Sequence, residues 1–122
     1  MTFRSLSSVK DLEKCIQEFG TRKVPWVLGV GMQDCQLCHA IKRRISASEA
    51  LQRKDPKVNF IWFDVNTIEE YIESKIYVDC FPTILAFVGN NLIKGWDGFT
   101  FEECSKECTS IDEILLYTPS LA

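Results

Sequence analysis

Long hydrophobic runs are missing from this sequence: none in its 122 residues approaches the ~20 residues that a membrane-spanning helix needs. Met1 to Lys14 holds no apolar core flanked by small residues, so no signal peptide is expected. A cytoplasmic protein without membrane association is the expectation that follows. Positive charge is in deficit. Lys and Arg number 14 against 17 Asp and Glu, a formal net charge of −3. No basic field is available to steer the chain onto nucleic acid. The short cluster Lys42-Arg43-Arg44 reads as the solvated face of a helix. Histidine occurs once, at His39. Internal repeats, linkers and low-complexity segments are absent. The composition is that of an ordinary globular protein, 46% hydrophobic and 25% charged. Residues 1–122 are therefore expected to form one domain, with length enough for a real core.

Cysteine, in contrast, is plentiful, with six residues. A cytosolic compartment keeps thiols reduced, which argues against structural disulfides. Catalytic thiols, metal ligands and core packing remain. Cys35 and Cys38 stand out, in Asp34-Cys35-Gln36-Leu37-Cys38-His39. This stretch follows an apolar run, Val24 to Met32, and opens a helical segment. Two thiols three residues apart on a helix's first turn can reach each other, and also face solvent where a strand hands over to a helix. A cytosolic CxxC near a βαβ pattern reads as a redox pair.

Two other readings weigh less. The same string, with His39, fits the c-type haem attachment pattern, but that chemistry goes with export and a helical shell. Cys104 and Cys108 would complete an all-thiolate zinc set with the pair. Both lie on the apolar stripe of the last helix, where packing is the simpler role. Cys15, beside the inner face of the first helix, also reads as packing. No metal is expected.

The pattern of apolar residues gives the order of elements. Thr2 to Leu6 reads as a short edge strand. Ser8 with Asp11 resembles a capping box, and Val9, Leu12, Ile16 and Phe19 then recur at helical spacing to a Gly20 cap. Thr21 to Lys23 reads as a turn. Val24 to Val30, apolar on both faces, suits a buried central strand. The next helix is expected from Cys35 to Leu51, with Ala40, Ile41 and Ile45 inward. Val58 to Val65 is a second strong strand. Thr67 to Ile76 is helical, with Ile68, Tyr71, Ile72, Lys75 and Ile76 at i, i+3, i+4 spacing. Pro82 precedes a third strand, Thr83 to Val88. Gly89-Asn90-Asn91 is a hairpin turn by composition, and Leu92 to Trp96 returns antiparallel. Thr100 with Glu103 opens a closing helix carrying Phe101, Cys104, Cys108, Ile111 and Leu115. The order (β)αβαβαββα makes an α/β fold, a central mixed sheet with helices on both faces.

This order, with CxxC after the first central strand and a proline before the hairpin, resembles thioredoxin over nearly the whole chain. Four local matches carry the resemblance. Cys35 and Cys38 stand where that family has its dithiol. Phe81-Pro82-Thr83 is similar to the family's cis-proline segment. Val78-Asp79-Cys80-Phe81-Pro82-Thr83 is similar to the form of that segment in animal thioredoxins, which carry a Cys two residues before the proline. Gly98 falls where the family has a groove-lining glycine. The departures are equally specific. Gln36-Leu37 replaces the family's Gly-Pro. The family's buried Asp, six residues before the first Cys, falls at Gly29, and its Lys partner falls near Trp62.

The resemblance implies a thiol–disulfide oxidoreductase that reduces protein disulfides, with the Cys35/Cys38 dithiol as its only redox group and no further cofactor. A separate reductase would regenerate it. Cys35 would be the nucleophile and Cys38 the resolving thiol. Only a thiolate attacks a disulfide, and a helix N-terminus lowers a thiol's pKa. Asp34 would oppose that effect, or would cap the helix. His39 would assist it when protonated, or shuttle a proton. Without an Asp at position 29, proton removal from Cys38 would fall to water or His39, and turnover would be slower than in a standard thioredoxin. Phe81, Pro82 and Gly98 would bind an extended substrate strand, with Met32 and Trp96 as a further apolar rim. The chain would be a monomer, with Cys80 as a regulatory thiol or a bridge to a second copy. The alternative implied by the departures is a redox-inactive binding or scaffold protein that uses the same groove.

Overall fold

A computed structural model of the chain describes residues 2–47, 59–100 and 114. Five strands and three helices are present among them: β1 Thr2–Leu6, α1 Val9–Arg22, β2 Pro25–Met32, α2 Gln36–Ser46, β3 Asn59–Val65, α3 Ile68–Ser74, β4 Thr83–Val88 and β5 Asn91–Trp96. The sheet order is β1-β3-β2-β4-β5. β1 and β2 both run parallel to β3, whereas β4 runs antiparallel to β2 and β5 antiparallel to β4. The mixed sheet expected from the element order is therefore the sheet observed.

Strand alternation divides the core in two. On β3, Phe60 and Trp62 face one way, and Ile61, Phe63 and Val65 the other. The first set packs with Cys38, Ile41 and Ile45 of α2, together with Phe99 and Ile114. The second set packs with Leu12, Cys15 and Phe19 of α1 and with Tyr71 of α3. Trp26, Trp62, Phe19, Phe60 and Phe63 are all fully buried. Each aromatic contributes about 2–3 kcal/mol through removal of its apolar surface from water.

The helix boundaries depart from expectation in ways that packing explains. α1 begins as the capping pattern predicts, with the Asp11 N–H donating to Ser8 Oγ at 3.1 Å. It does not stop at Gly20 but runs on to Arg22, and Lys23 takes the left-handed capping conformation at φ 55°. Asn90, from the β4–β5 turn, fills the place a Gly20 side chain would occupy. That glycine serves close approach and not termination. β2 continues two residues beyond Val30, to Met32. α2 starts at Gln36, with Cys35 as its N-cap, and ends at Ser46. The expected stretch from Ser48 to Leu51 lies outside the described residues, as does the closing helix apart from Ile114, which is helical and buried. α3 is shorter than expected, and Ile68 and Ile72 are 75% and 57% exposed. Its inward residues are Tyr71, which packs against the second half of the core, and Ser74, which is buried, so that much of the apolar stripe is left uncovered. β4 spans the expected residues, and Asn91, expected in the turn, already belongs to β5.

Candidate active site

The topology brings two segments to one end of the sheet. β2 ends at Met32, and its antiparallel neighbour β4 begins at Thr83, with Val30 and Thr83 in register. The turn after β2 leads into α2, and the segment before β4 ends in Pro82. The dithiol and the proline loop therefore meet at the same end of the sheet.

The turn is closed by the Cys35 N–H donating to the Met32 carbonyl at 3.2 Å, and by the Gln33 N–H donating to the Val65 carbonyl at 3.0 Å. Cys35 then caps α2, its backbone extended at φ −94° and ψ 108°. Its sulfur accepts the Cys38 N–H at 3.0 Å. Asp34, exposed and one residue earlier, is not the cap. Cys35 and Cys38 are joined by a disulfide, with Cα atoms 5.2 Å apart. Their surroundings differ. Cys35 is half-buried, and Cys38 is sealed at 0% exposure within the core under α2. The nearer sulfur to solvent is thus the one at the helix start.

The His39 ring, through Nε2, pairs with the Gln33 carbonyl. That bond ties α2 to the turn and occupies one of the two ring nitrogens. Phe81 packs against the same core as Cys35, Leu37 and Trp96. The Phe81–Pro82 bond is cis. Cys80 is exposed, and its carbonyl accepts the Thr83 hydroxyl at 2.6 Å. Gly98 has φ 73°, a region that favours glycine, and a side chain there would meet nothing within 4 Å. Cys104 and Cys108 lie outside the described residues. Cys15 is buried on the opposite face of the sheet from the dithiol.

Three further residues stand at the site: Tyr71, expected only as part of a helical stripe; Lys42, expected on a solvated helix face but partly buried and paired; and Asp64, which the apolar pattern did not single out. Tyr71 forms an edge contact with Phe81 at 5.9 Å. Its hydroxyl donates to the Val78 carbonyl at 3.2 Å and accepts the Val78 N–H at 2.9 Å. It thereby braces the segment that leads to Pro82. Met32, Val65, Asn66, Thr67, Ile68, Tyr71 and Phe81 line an apolar cleft of about 210 Å³ beside that segment. Asp64 and Lys42 form an ion pair at 3.4 Å behind the dithiol. Asp64 carried a signal: it is the one charged residue within the strand Phe60-Ile61-Trp62-Phe63-Asp64-Val65, and a carboxylate in a buried strand calls for a partner.

The missing Asp is accounted for by packing. Gly29 and Trp62 are paired across β2 and β3, and a side chain on Gly29 would overlap the Trp62 ring. The Trp62 indole fills the space beside residue 29.

This chain has a thioredoxin-like fold. Thioredoxin O2 of Arabidopsis thaliana in its oxidized state is similar with a TM-score of 0.72, covering 98% of this chain and 93% of that one at 18% identity. Thioredoxin NaTrxh of Nicotiana alata gives 0.68, with 95% and 91% covered at 16% identity. The thioredoxin of Fasciola hepatica gives 0.61, with 94% and 98% covered at 23% identity. No family model and no curated protein matches the sequence. Among the described residues, no helix is long and apolar enough to cross a membrane.

Proposed function

We propose that the chain is a thiol–disulfide oxidoreductase that reduces disulfides in other proteins through Cys35 and Cys38. The observation that carries this reading is the inequality of the two sulfurs. One is half-buried at a helix N-cap with an amide N–H directed at it, and the other is buried one turn along. The amide and the positive end of the helix dipole favour a thiolate on Cys35. In the reduced protein that thiolate attacks a substrate disulfide. One substrate sulfur leaves and takes a proton, and the other is bound to Cys35. Cys38 gives up its proton and attacks Cys35 Sγ. The mixed disulfide breaks, the second substrate sulfur leaves, and the Cys35–Cys38 disulfide remains. Two electrons have passed from the dithiol to the substrate.

A separate reductase returns those electrons. The dithiol is the only redox group required. The backbone at Phe81 offers an extended substrate strand a pairing surface next to the dithiol, and the apolar cleft beside it accepts a hydrophobic side chain. Gly98 leaves open space where a side chain would stand.

Thiol trapping tests the reading. A Cys38→Ser variant, offered a protein disulfide, accumulates a mixed disulfide through Cys35 that mass spectrometry detects, and Cys35→Ser accumulates none. The competing reading, a binding protein with an idle dithiol, is favoured by the Trp62 ring standing where the proton-handling pair would be. It predicts partner capture that survives Cys35→Ser with no covalent adduct in either variant.

A further inference from the structure

The resolving thiol needs somewhere to send its proton, and Cys38 is sealed from solvent at 0% exposure. His39 Nε2 is engaged with the Gln33 carbonyl. Resting on the oxidoreductase reading above, we infer that Asp64 of β3 accepts the Cys38 proton, through the gap that Gly31 leaves between them.

The placement follows from strand register and helix periodicity. Gly31 and Asp64 are partners across β2 and β3. Asp64 follows Trp62 by two residues, so its side chain lies on the α2 side of the sheet. Cys38 and Lys42 are four residues apart on α2 and project from the same side of that helix. Lys42 therefore meets Asp64 one turn away from the thiol. The meeting point is defined by what a side chain on Gly31 would touch. Its Cβ would stand 2.7 Å from Asp64 Oδ1 and 3.1 Å from Cys38 Cβ. The carboxylate oxygen and the resolving cysteine thus flank one small space, open only because residue 31 is glycine. Oδ1 therefore lies within about 6 Å of Cys38 Cβ, and rotation of the Cys38 thiol once the disulfide is open carries its proton toward the carboxylate.

The carboxylate is held in place from two directions. The Trp62 indole N–H donates to Oδ1 at 2.8 Å, and Lys42 Nζ donates to Oδ2 at 3.4 Å. Lys42 is itself anchored by Ser5 Oγ of β1 at 2.7 Å. The Trp62 ring that displaces any side chain at residue 29 is the same ring that orients Asp64. The Asp64 side chain is 16% exposed, so it has an exit for the proton to solvent.

The step balances as follows. The Cys38 S–H bond breaks and its proton goes to an Asp64 oxygen. The Cys38 sulfur forms its bond to Cys35 Sγ with the released electron pair. The bond from Cys35 to the substrate sulfur breaks, and that sulfur leaves with its electron pair and takes a proton from water. Asp64 then returns its proton to solvent.

A small aromatic disulfide, dithiobis(nitrobenzoic acid), separates this step from the first. In a Cys80→Ser background, which removes the exposed free thiol among the described residues, one equivalent mixed with the reduced full-length chain releases one coloured thiolate as Cys35 attacks and a second as Cys38 resolves. In Asp64→Asn, the first release keeps the wild-type rate and the second slows by about 100-fold near neutral pH. The Cys35 adduct persists correspondingly longer by mass spectrometry. Raising the pH brings the second release in the variant toward the wild-type rate, because hydroxide then replaces the carboxylate, whereas a merely structural role for Asp64 would leave the ratio of the two rates unchanged with pH. Gly31→Ala, which fills the gap and keeps the carboxylate, slows the second release as well. A second release at the wild-type rate in Asp64→Asn overturns the inference. So does equal slowing of both releases, which marks a general loss of structure. Absence of the first release from the wild-type protein instead overturns the oxidoreductase reading itself.

Discussion

Trp62 shows how one side chain redistributes a site. Its ring leaves no room for anything larger than glycine at residue 29, and its N–H reaches Asp64. The sequence reveals the loss of the Asp and Lys at once, since both positions are read by spacing from Cys35. It reveals the neighbouring carboxylate only as an oddity in an apolar strand, because the approach of Asp64 to Cys38 depends on strand register. Cys15 gives a second residue-scale case. Packing was its expected role, and it is 5% exposed, with Arg4 Nη2 donating to its sulfur at 3.4 Å. Burial pushes its thiol pKa up, Arg4 pulls it partly back, and Glu18 and Asp11 add to the rise. The unfolded chain therefore releases this proton at a lower pH than the folded chain. Above an ordinary thiol pKa, near about 8.5, the folded state holds the extra proton, so stability falls as pH rises. Urea unfolding at neutral and alkaline pH checks this. The wild-type chain should lose more stability across that range than Cys15→Ala, and equal losses would rule the effect out.

At the level of elements, the Ser8 cap was legible, whereas Thr67, expected as helical, proves to be a cap, Gly20, expected as a cap, is helical, and inward faces were less legible still. Ser8 and Thr67 each accept the N–H three residues on, at 3.1 Å in both cases, as short polar residues before a helix do. Cys35 escaped that logic, because a sulfur is not among the usual capping groups. The faces of α3 escaped it for another reason. Periodicity marks a stripe on a helix, but how much of that stripe is covered depends on what lies opposite. Here Tyr71 alone reaches inward with both ring and hydroxyl, and its hydroxyl satisfies both backbone groups of Val78. Tyr71→Phe removes both bonds while retaining the ring. It is expected to cost about 2 kcal/mol and to expose the Val78 amide to exchange. Denaturant unfolding and hydrogen exchange at Val78 measure the two effects, and an unchanged Val78 amide would show that the hydroxyl does not hold this segment.

For the molecule as a whole, β2, β3 and β4 each have a paired neighbour on both sides, with β2 and β3 paired to parallel partners, whereas β1 and β5 are edges among the described residues. Native-state exchange should be slowest in β2 and β3 and fastest, among the strands, in β5, where Leu92 and Ile93 are exposed. Slower exchange in β5 than in β2 would contradict that order of stability. Local chemistry along the chain was sufficient to establish the alternation of strands and helices, the helix starts and the cysteine pair, because hydrophobic period, capping and spacing are short-range properties. Which groups stand beside the cysteines was settled by long-range pairing. Gly31 faces Asp64 across two strands, and Lys42 meets that carboxylate from the helix above. Contacts of that kind leave no periodic mark on the chain, since they exist only once separate elements are packed at a fixed register.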